Sequence, residues 1–127
     1  MSKLKILIVD DSQLNRELLA CMLEDNYDIC EAENGEQAVE ILERCHKDFK
    51  LVLLDLIMPV MDGYEATREI RKFSLQVPII AVTAFAYASD EQKAMDNGFN
   101  AYMSKPINAG QLRTKITSIL QRHVVFM

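Results

Sequence analysis

Cysteine is scarce in this 127-residue chain, with only Cys21, Cys30 and Cys45. No two form a CxxC pair and the number is odd, so neither a disulfide framework nor a zinc site is indicated. Cys21 and Cys45 fall among apolar helix positions, which predicts reduced thiols in the core. The two histidines, His46 and His123, sit in polar or terminal surroundings and read as surface residues with no ligand or catalytic role. A basic stripe is missing as well. Fourteen Lys and Arg against nineteen Asp and Glu leave a net charge of −5, which argues against a nucleic-acid-binding surface. Long apolar runs are also lacking: Ile6 to Val9 meets Asp10-Asp11 far too soon for a signal peptide or a membrane span. The expectation is a cytoplasmic protein without membrane contact. No linker, repeat or low-complexity segment breaks the chain, so residues 1–127 read as one domain, with 122–127 as a possible tail.

The most informative stretch runs from Leu51 to Gly63. Leu51-Val52-Leu53-Leu54 reads as a strand buried on both faces, the pattern of a parallel sheet covered by helices. Asp55 closes that run, where a buried strand has no structural need of a carboxylate. Met58-Pro59 forbids a helix directly after it, and Asp62-Gly63 caps the next one.

The same alternation extends along the chain. Leu4 to Val9 is a first strand, and Ser12 caps a helix whose Leu14, Leu18, Leu19, Met22 and Leu23 predict one buried stripe. Tyr27 to Ala32 is a more polar strand suited to a sheet edge. Asn34-Gly35 opens a second helix with Ala38, Ile41, Leu42 and Cys45 on one face. Asp62 to Phe73 is a third helix, with Tyr64, Thr67 and Ile70 inward. Val77 to Val82 is a fourth strand closed by Thr83, and Ser89 with Gln92 resembles a capping box for a fourth helix ended by Asn97-Gly98. Asn100 to Ser104 is a short fifth strand. Asn108 with Gln111 caps the last helix, where Ile107 and Leu112 form a hydrophobic staple and Leu112, Ile116, Ile119 and Leu120 face inward.

Five strands alternating with five helices predict an α/β fold, a doubly wound five-stranded parallel sheet of flavodoxin-like order 2-1-3-4-5. That order sets the first and third strands side by side, so Asp10-Asp11 meet Asp55, while the fourth and fifth strands deliver Thr83 and Lys105 to the same rim. Three close carboxylates repel one another and persist only with a cation or with raised pKa values. Oxygen donors without nitrogen favour a hard ion, Mg²⁺ before Zn²⁺. Carboxylates also act as phosphoryl acceptors.

The chain resembles the response-regulator receiver domains of two-component and phosphorelay signalling, over essentially its whole length. The resemblance rests on Asp10-Asp11, on Asp55 to Gly63, on Thr83-Ala84, and on Tyr102 with Lys105-Pro106. It implies that Asp55 takes a phosphoryl group from a phosphohistidine on a sensor kinase or histidine phosphotransfer domain. It implies Mg²⁺ held by Asp11 directly, by Asp10 mainly through water, by Asp55, and by the Ile57 backbone carbonyl. Lys105 is then the phosphoryl contact, Thr83 and Tyr102 the switch pair, small Ala84 the room for their movement, and the Lys105-Pro106 bond cis. It further implies a switching face built from the fourth helix, fifth strand and fifth helix, a possible homodimer through that face, and no enzymatic turnover beyond self-catalysed phosphotransfer and dephosphorylation.

The resemblance also implies that Ile57 and Phe85 flank the site, at positions where polar side chains in this family can position an attacking water; here both are bulky and apolar, which predicts a long-lived aspartyl-phosphate. A flavin-binding module of the same fold fails because Asp10-Asp11 would repel a phosphate. A phosphatase with an aspartate nucleophile would need a second acid where Ile57 stands. A phosphate-independent interaction module of the same fold is the remaining alternative. The wording Met61-Asp62-Gly63-Tyr64-Glu65-Ala66-Thr67 and Ser104-Lys105-Pro106-Ile107 resembles the hybrid-kinase type of receiver slightly more than a stand-alone regulator.

Overall fold

Ile6, Leu7, Ile8 and Val9 are all buried, yet successive strand residues point to opposite faces, so this segment needs cover on both sides. The computed structural model, which describes residues 3–84 and 88–125, supplies that cover. Strands β1 (Leu4–Val9), β2 (Tyr27–Ala32), β3 (Phe49–Asp55), β4 (Ile79–Thr83) and β5 (Ala101–Ser104) form one parallel sheet in the order β2-β1-β3-β4-β5. Helices α1 (Gln13–Leu23), α2 (Gly35–Cys45), α3 (Gly63–Arg71), α4 (Ala88–Asp96) and α5 (Ala109–Val125) connect and cover it. The doubly wound fold predicted above is the one observed.

The two faces have separate cores. Leu7, Val9, Val52 and Leu54 pack with Ala38 and Leu42 of α2, Ala66 and Ile70 of α3, and Ala94 of α4. Their strand neighbours Ile6, Ile8, Leu51 and Leu53 pack with Leu19 and Leu23 of α1 and Leu112, Ile116 and Ile119 of α5. β2 is the more solvated edge, as its polar sequence requires.

Helix starts follow the expected chemistry. Ser12 Oγ accepts from the Asn15 N–H at 3.3 Å, Asn34 Oδ1 from Gln37 at 2.8 Å, Asp62 Oδ1 from Glu65 at 2.8 Å, and Asn108 Oδ1 from Gln111 at 3.0 Å. Gly98 ends α4 at φ +101°, where a side chain is strained.

Several local expectations are corrected. Leu14 and Leu18 are 64% and 50% exposed, and Cys21 is exposed rather than in the core. The inner side of α1 is Arg16, Leu19 and Leu23. At about 100° per residue, Leu14 and Leu18 lie roughly 140° round the helix from Leu19 and Leu23, so α1 carries two apolar stripes. Arg16 takes an inward place because the Asp10 carbonyl and Glu31 satisfy it. Cys45 is half-buried and its thiol donates to the Ile41 carbonyl. His46 is half-buried against the Phe73 ring, within a 3-10 turn (His46–Asp48) not foreseen from the sequence. α4 starts at Ala88, before Ser89, and the Ser89 side chain lies outside the described residues. The backbone of 122–125 continues α5; the side chains of the 122–127 stretch, His123 included, lie outside them too, as does Phe85. No helix among the described residues is long and apolar enough to cross a membrane.

Candidate functional site

Parallel strands all end on the same side, and four of them deliver the predicted residues there. Asp10 is the first residue past β1, Asp55 the last of β3, Thr83 the last of β4, and Lys105 the first past β5. Pairing of Val9 with Leu54, Asp55 with Val82 and Thr83 with Ser104 sets these ends in register. The crevice is where strand order reverses, the usual ligand position of such sheets.

Asp10 and Asp55 are 2% and 5% exposed, whereas Asp11 faces solvent. One carboxylate oxygen from each lies within 4.8 Å of the others. Lys105 Nζ donates to Asp10 Oδ2 at 2.9 Å and to Asp55 Oδ2 at 3.3 Å. Its backbone is anchored by donation from its N–H to the Thr83 carbonyl at 2.8 Å, and the Lys105-Pro106 bond is cis as expected. Burial raises the Asp55 pKa above the usual carboxylate value; the Lys105 charge and the Ile57 N–H at 3.2 Å oppose this, and Asp10 adds to it. Burial alone would lower Lys105, but hydrogen bonding to Asp10 and the charges of both acids outweigh it and hold the ammonium pKa raised. The pocket therefore keeps two mutually repelling acids together with one cation bridging them.

The loop from Leu56 to Asp62 shapes the rim. Gly63 donates its N–H to the Leu56 carbonyl at 2.9 Å, and a Cβ there would lie 2.5 Å from the Asp55 carbonyl oxygen. Only glycine lets α3 start this close to the acid. Val60 stands at φ 71° within a three-residue turn closed by Met61 N–H to Pro59 O at 2.8 Å, an uncommon conformation for a β-branched residue. Ile57 and Val60 leave large apolar surfaces in water, 56% and 73% exposed.

Sequence reasoning passed over Arg16. Its Nη1 donates to the Asp10 carbonyl at 2.7 Å and its Nε to Glu31 at 3.0 Å, so it pins the turn that carries both leading acids. The only signal was a charged residue on the side of α1 that carries Leu19 and Leu23. Thr83 is buried, and Tyr102 is half-buried with its ring against the core under α4. The Tyr102 hydroxyl is buried with no hydrogen-bond partner among the described residues. Burial, Asp90, Tyr64 and Glu91 all raise its pKa.

Three carboxylates with no nitrogen or sulfur donor suit a hard divalent ion, so this cluster fits Mg²⁺. With Lys105 and buried Thr83 at the same crevice, the arrangement can accept a tetrahedral anion once the acids are neutralised.

Comparison with known proteins agrees with this geometry. A family model described as "Response regulator receiver domain" matches residues 6–117. The chain is 41% identical over 123 residues to the probable transcriptional regulator ycf27 of Porphyridium aerugineum, covering 96% of the chain but 50% of that relative, about half its length. It is 38% identical over 117 residues to the chemotaxis protein CheY of Halobacterium salinarum, covering 91% of the chain and 96% of that protein. The solved receiver domain of the sensor histidine kinase PA1611 from Pseudomonas aeruginosa, which has a magnesium ion coordinated in its active-site cleft, superposes with a TM-score of 0.86 at 34% identity over 94% of this chain and 99% of that one.

Proposed function

The chain belongs to the response-regulator receiver family, and from that premise we propose that it takes a phosphoryl group from a phosphohistidine onto Asp55. One Asp55 carboxylate oxygen attacks phosphorus, the P–O bond forms as the P–N bond breaks, and the imidazole nitrogen keeps the electron pair and takes up a proton. The protein contributes placement and charge neutralisation more than covalent chemistry. The observation that carries the reading is Lys105 bridging Asp10 and Asp55, a cation already positioned where phosphoryl oxygens arrive.

Asp10, Asp11, Asp55 and the Ile57 carbonyl would hold Mg²⁺, with Asp10 acting mainly through water. When bound, the ion supplies the positive charge that lets an anionic phosphate approach three acids. Magnesium in the cleft of the PA1611 receiver supports this assignment.

The donor is a histidine kinase or a histidine phosphotransfer domain. Leu14 and Leu18, on the first two turns of α1 directly after Asp11, give such a partner an apolar landing surface beside the crevice. Output runs through α4, β5 and α5. Phosphate on Asp55 draws the Thr83 hydroxyl toward it, in the room that small Ala84 leaves, and the buried, unpartnered Tyr102 hydroxyl responds to that movement. On the far side of β5, a hollow of about 870 Å³ lined by Tyr102, Met103, Gln111, Lys115 and Ser118 suits either an output partner or a second copy of the chain. The chain acts as a single switching unit, without substrate turnover beyond its own phosphorylation and dephosphorylation.

Incubation with acetyl phosphate and Mg²⁺, followed by intact mass measurement, tests the proposal. One base-labile phosphoryl adduct is expected, absent in Asp55→Asn and absent in EDTA. An adduct that persists in Asp55→Asn, or none in the wild type, overturns it.

A further inference from the structure

At the opposite, amino-terminal end of the sheet lies a second hollow that phosphotransfer does not use. It encloses about 990 Å³ between the start of β1, the start of β3, the end of α3 and the segment leading into β4. Its apolar part includes Leu4, Phe49, Phe73 and Leu75, of which Leu75 is 81% exposed. A leucine this exposed beside a concave apolar wall is an unfilled contact surface.

The charges lining this hollow are of one sign. The chain carries −5 overall, yet among the described residues the lining holds Lys47, Lys50, Arg71 and Lys72 and no carboxylate. Lys72 shares its charge with Glu69 at 2.7 Å. Lys47 and Lys50 are exposed. Arg71 directs its donors to neutral oxygens only: the carbonyls of Ser74, Val77 and Gly98 and the Asn100 side chain. Among the described residues no carboxylate pairs with it, so its charge is held at the hollow. Lys5, over the Phe49 ring at 5.6 Å, adds positive potential at the same end.

We infer that this hollow is a docking site for an acidic peptide segment bearing a leucine or phenylalanine anchor, independent of the phosphorylation site. The apolar wall takes the anchor, and the lysines around it face flanking aspartates or glutamates. Concavity favours an inserted side chain over a flat anionic surface, and the sign of the lining excludes a basic segment.

The test uses fluorescein-labelled peptides with a Leu-Glu-Asp-Phe core flanked by aspartate and glutamate, a matched peptide with lysine at every acidic position, and phosphatidylserine vesicles. Saturable anisotropy change is expected with the acidic peptide alone. The double variant Lys47→Glu/Lys50→Glu, and separately Leu75→Asp, should each weaken it about tenfold or more, with acetyl phosphate labelling of Asp55 unchanged as the control for folding. Absence of saturable binding, binding indifferent to both variants, equal binding of the lysine peptide, or capture by vesicles but not by the peptide would each overturn the assignment.

Discussion

Burial holds the Asp55 carboxyl above its usual pKa, with Asp10 adding to the effect and Lys105 and the Ile57 N–H opposing it. A carboxyl raised in the folded state contributes stability that is complete below its unfolded pKa and is lost as pH rises through the folded one. At neutral pH the ionised acid therefore works against folding until a cation arrives. Asp55→Asn removes that ionisation. In EDTA at neutral pH it should be more stable than wild type, and the gap should close as pH falls below the ordinary carboxylate range. Urea unfolding at the two pH values measures both, and an equal gap at each would contradict the account. The neighbouring rim position makes a kinetic prediction. Ile57 is half-exposed and offers no polar atom from its side chain to hold a water in line behind phosphorus. Ile57→Asn should shorten the half-life of the phosphorylated chain several-fold, and so should Phe85→Glu, measured by loss of the mass adduct after acetyl phosphate is removed.

Among the elements, α3 is tied to segments distant in sequence by Arg68, which donates to Asn97 Oδ1 at 3.1 Å, and above all by Arg71. Arg71 in its last turn donates to the carbonyls of Gly98, Ser74 and Val77 and to Asn100 Oδ1, which in turn accepts from the Ile79 N–H at 2.9 Å. Arg71→Met leaves several part-buried oxygens unpaired and should cost about 1–3 kcal/mol in urea unfolding. Hydrogen exchange should speed up first at Ile79 and Asn100 rather than at β1, where this network does not reach. That network could not be read from the sequence, because an arginine ending an amphipathic helix looks like any solvated cation until tertiary folding surrounds it. The strands were legible for the opposite reason: Ile6 to Val9 and Leu51 to Leu54 are apolar at both parities, which only a sheet covered on both faces explains. Helix caps were legible because they are local. The orientation of α1 was not, since spacing reveals an apolar stripe but not which of two stripes meets the sheet. The site residues lie at strand ends, so strand order sets Asp10 beside Asp55, while Lys105, one strand further out past β4, reaches both through its long side chain.

At the scale of the whole molecule, the two ends of the sheet carry opposite characters. The amino-terminal end is basic around an apolar hollow, and the carboxyl-terminal end gathers three acids, with exposed Ile57 and Val60 on the loop after β3 and exposed Leu14 and Leu18 on α1. A small phosphodonor needs only the crevice. A phosphohistidine on a protein must also be held at the right distance and angle, and under the proposed function the exposed stripe of Leu14 and Leu18 on α1 does so. Leu14→Asp together with Leu18→Asp removes that surface and adds two negative charges beside a crevice that already holds three acids. Both positions are exposed, so stability should change by no more than about 0.5 kcal/mol each. Labelling by acetyl phosphate should proceed at the wild-type rate, while transfer from a phosphorylated kinase or phosphotransfer domain should fall about tenfold or more, the equivalent of roughly 1.4 kcal/mol of docking energy. Parallel time courses with the two donors separate the effects. Equal slowing with both would place the defect in the crevice, and no slowing with the protein donor would show that the partner lands elsewhere.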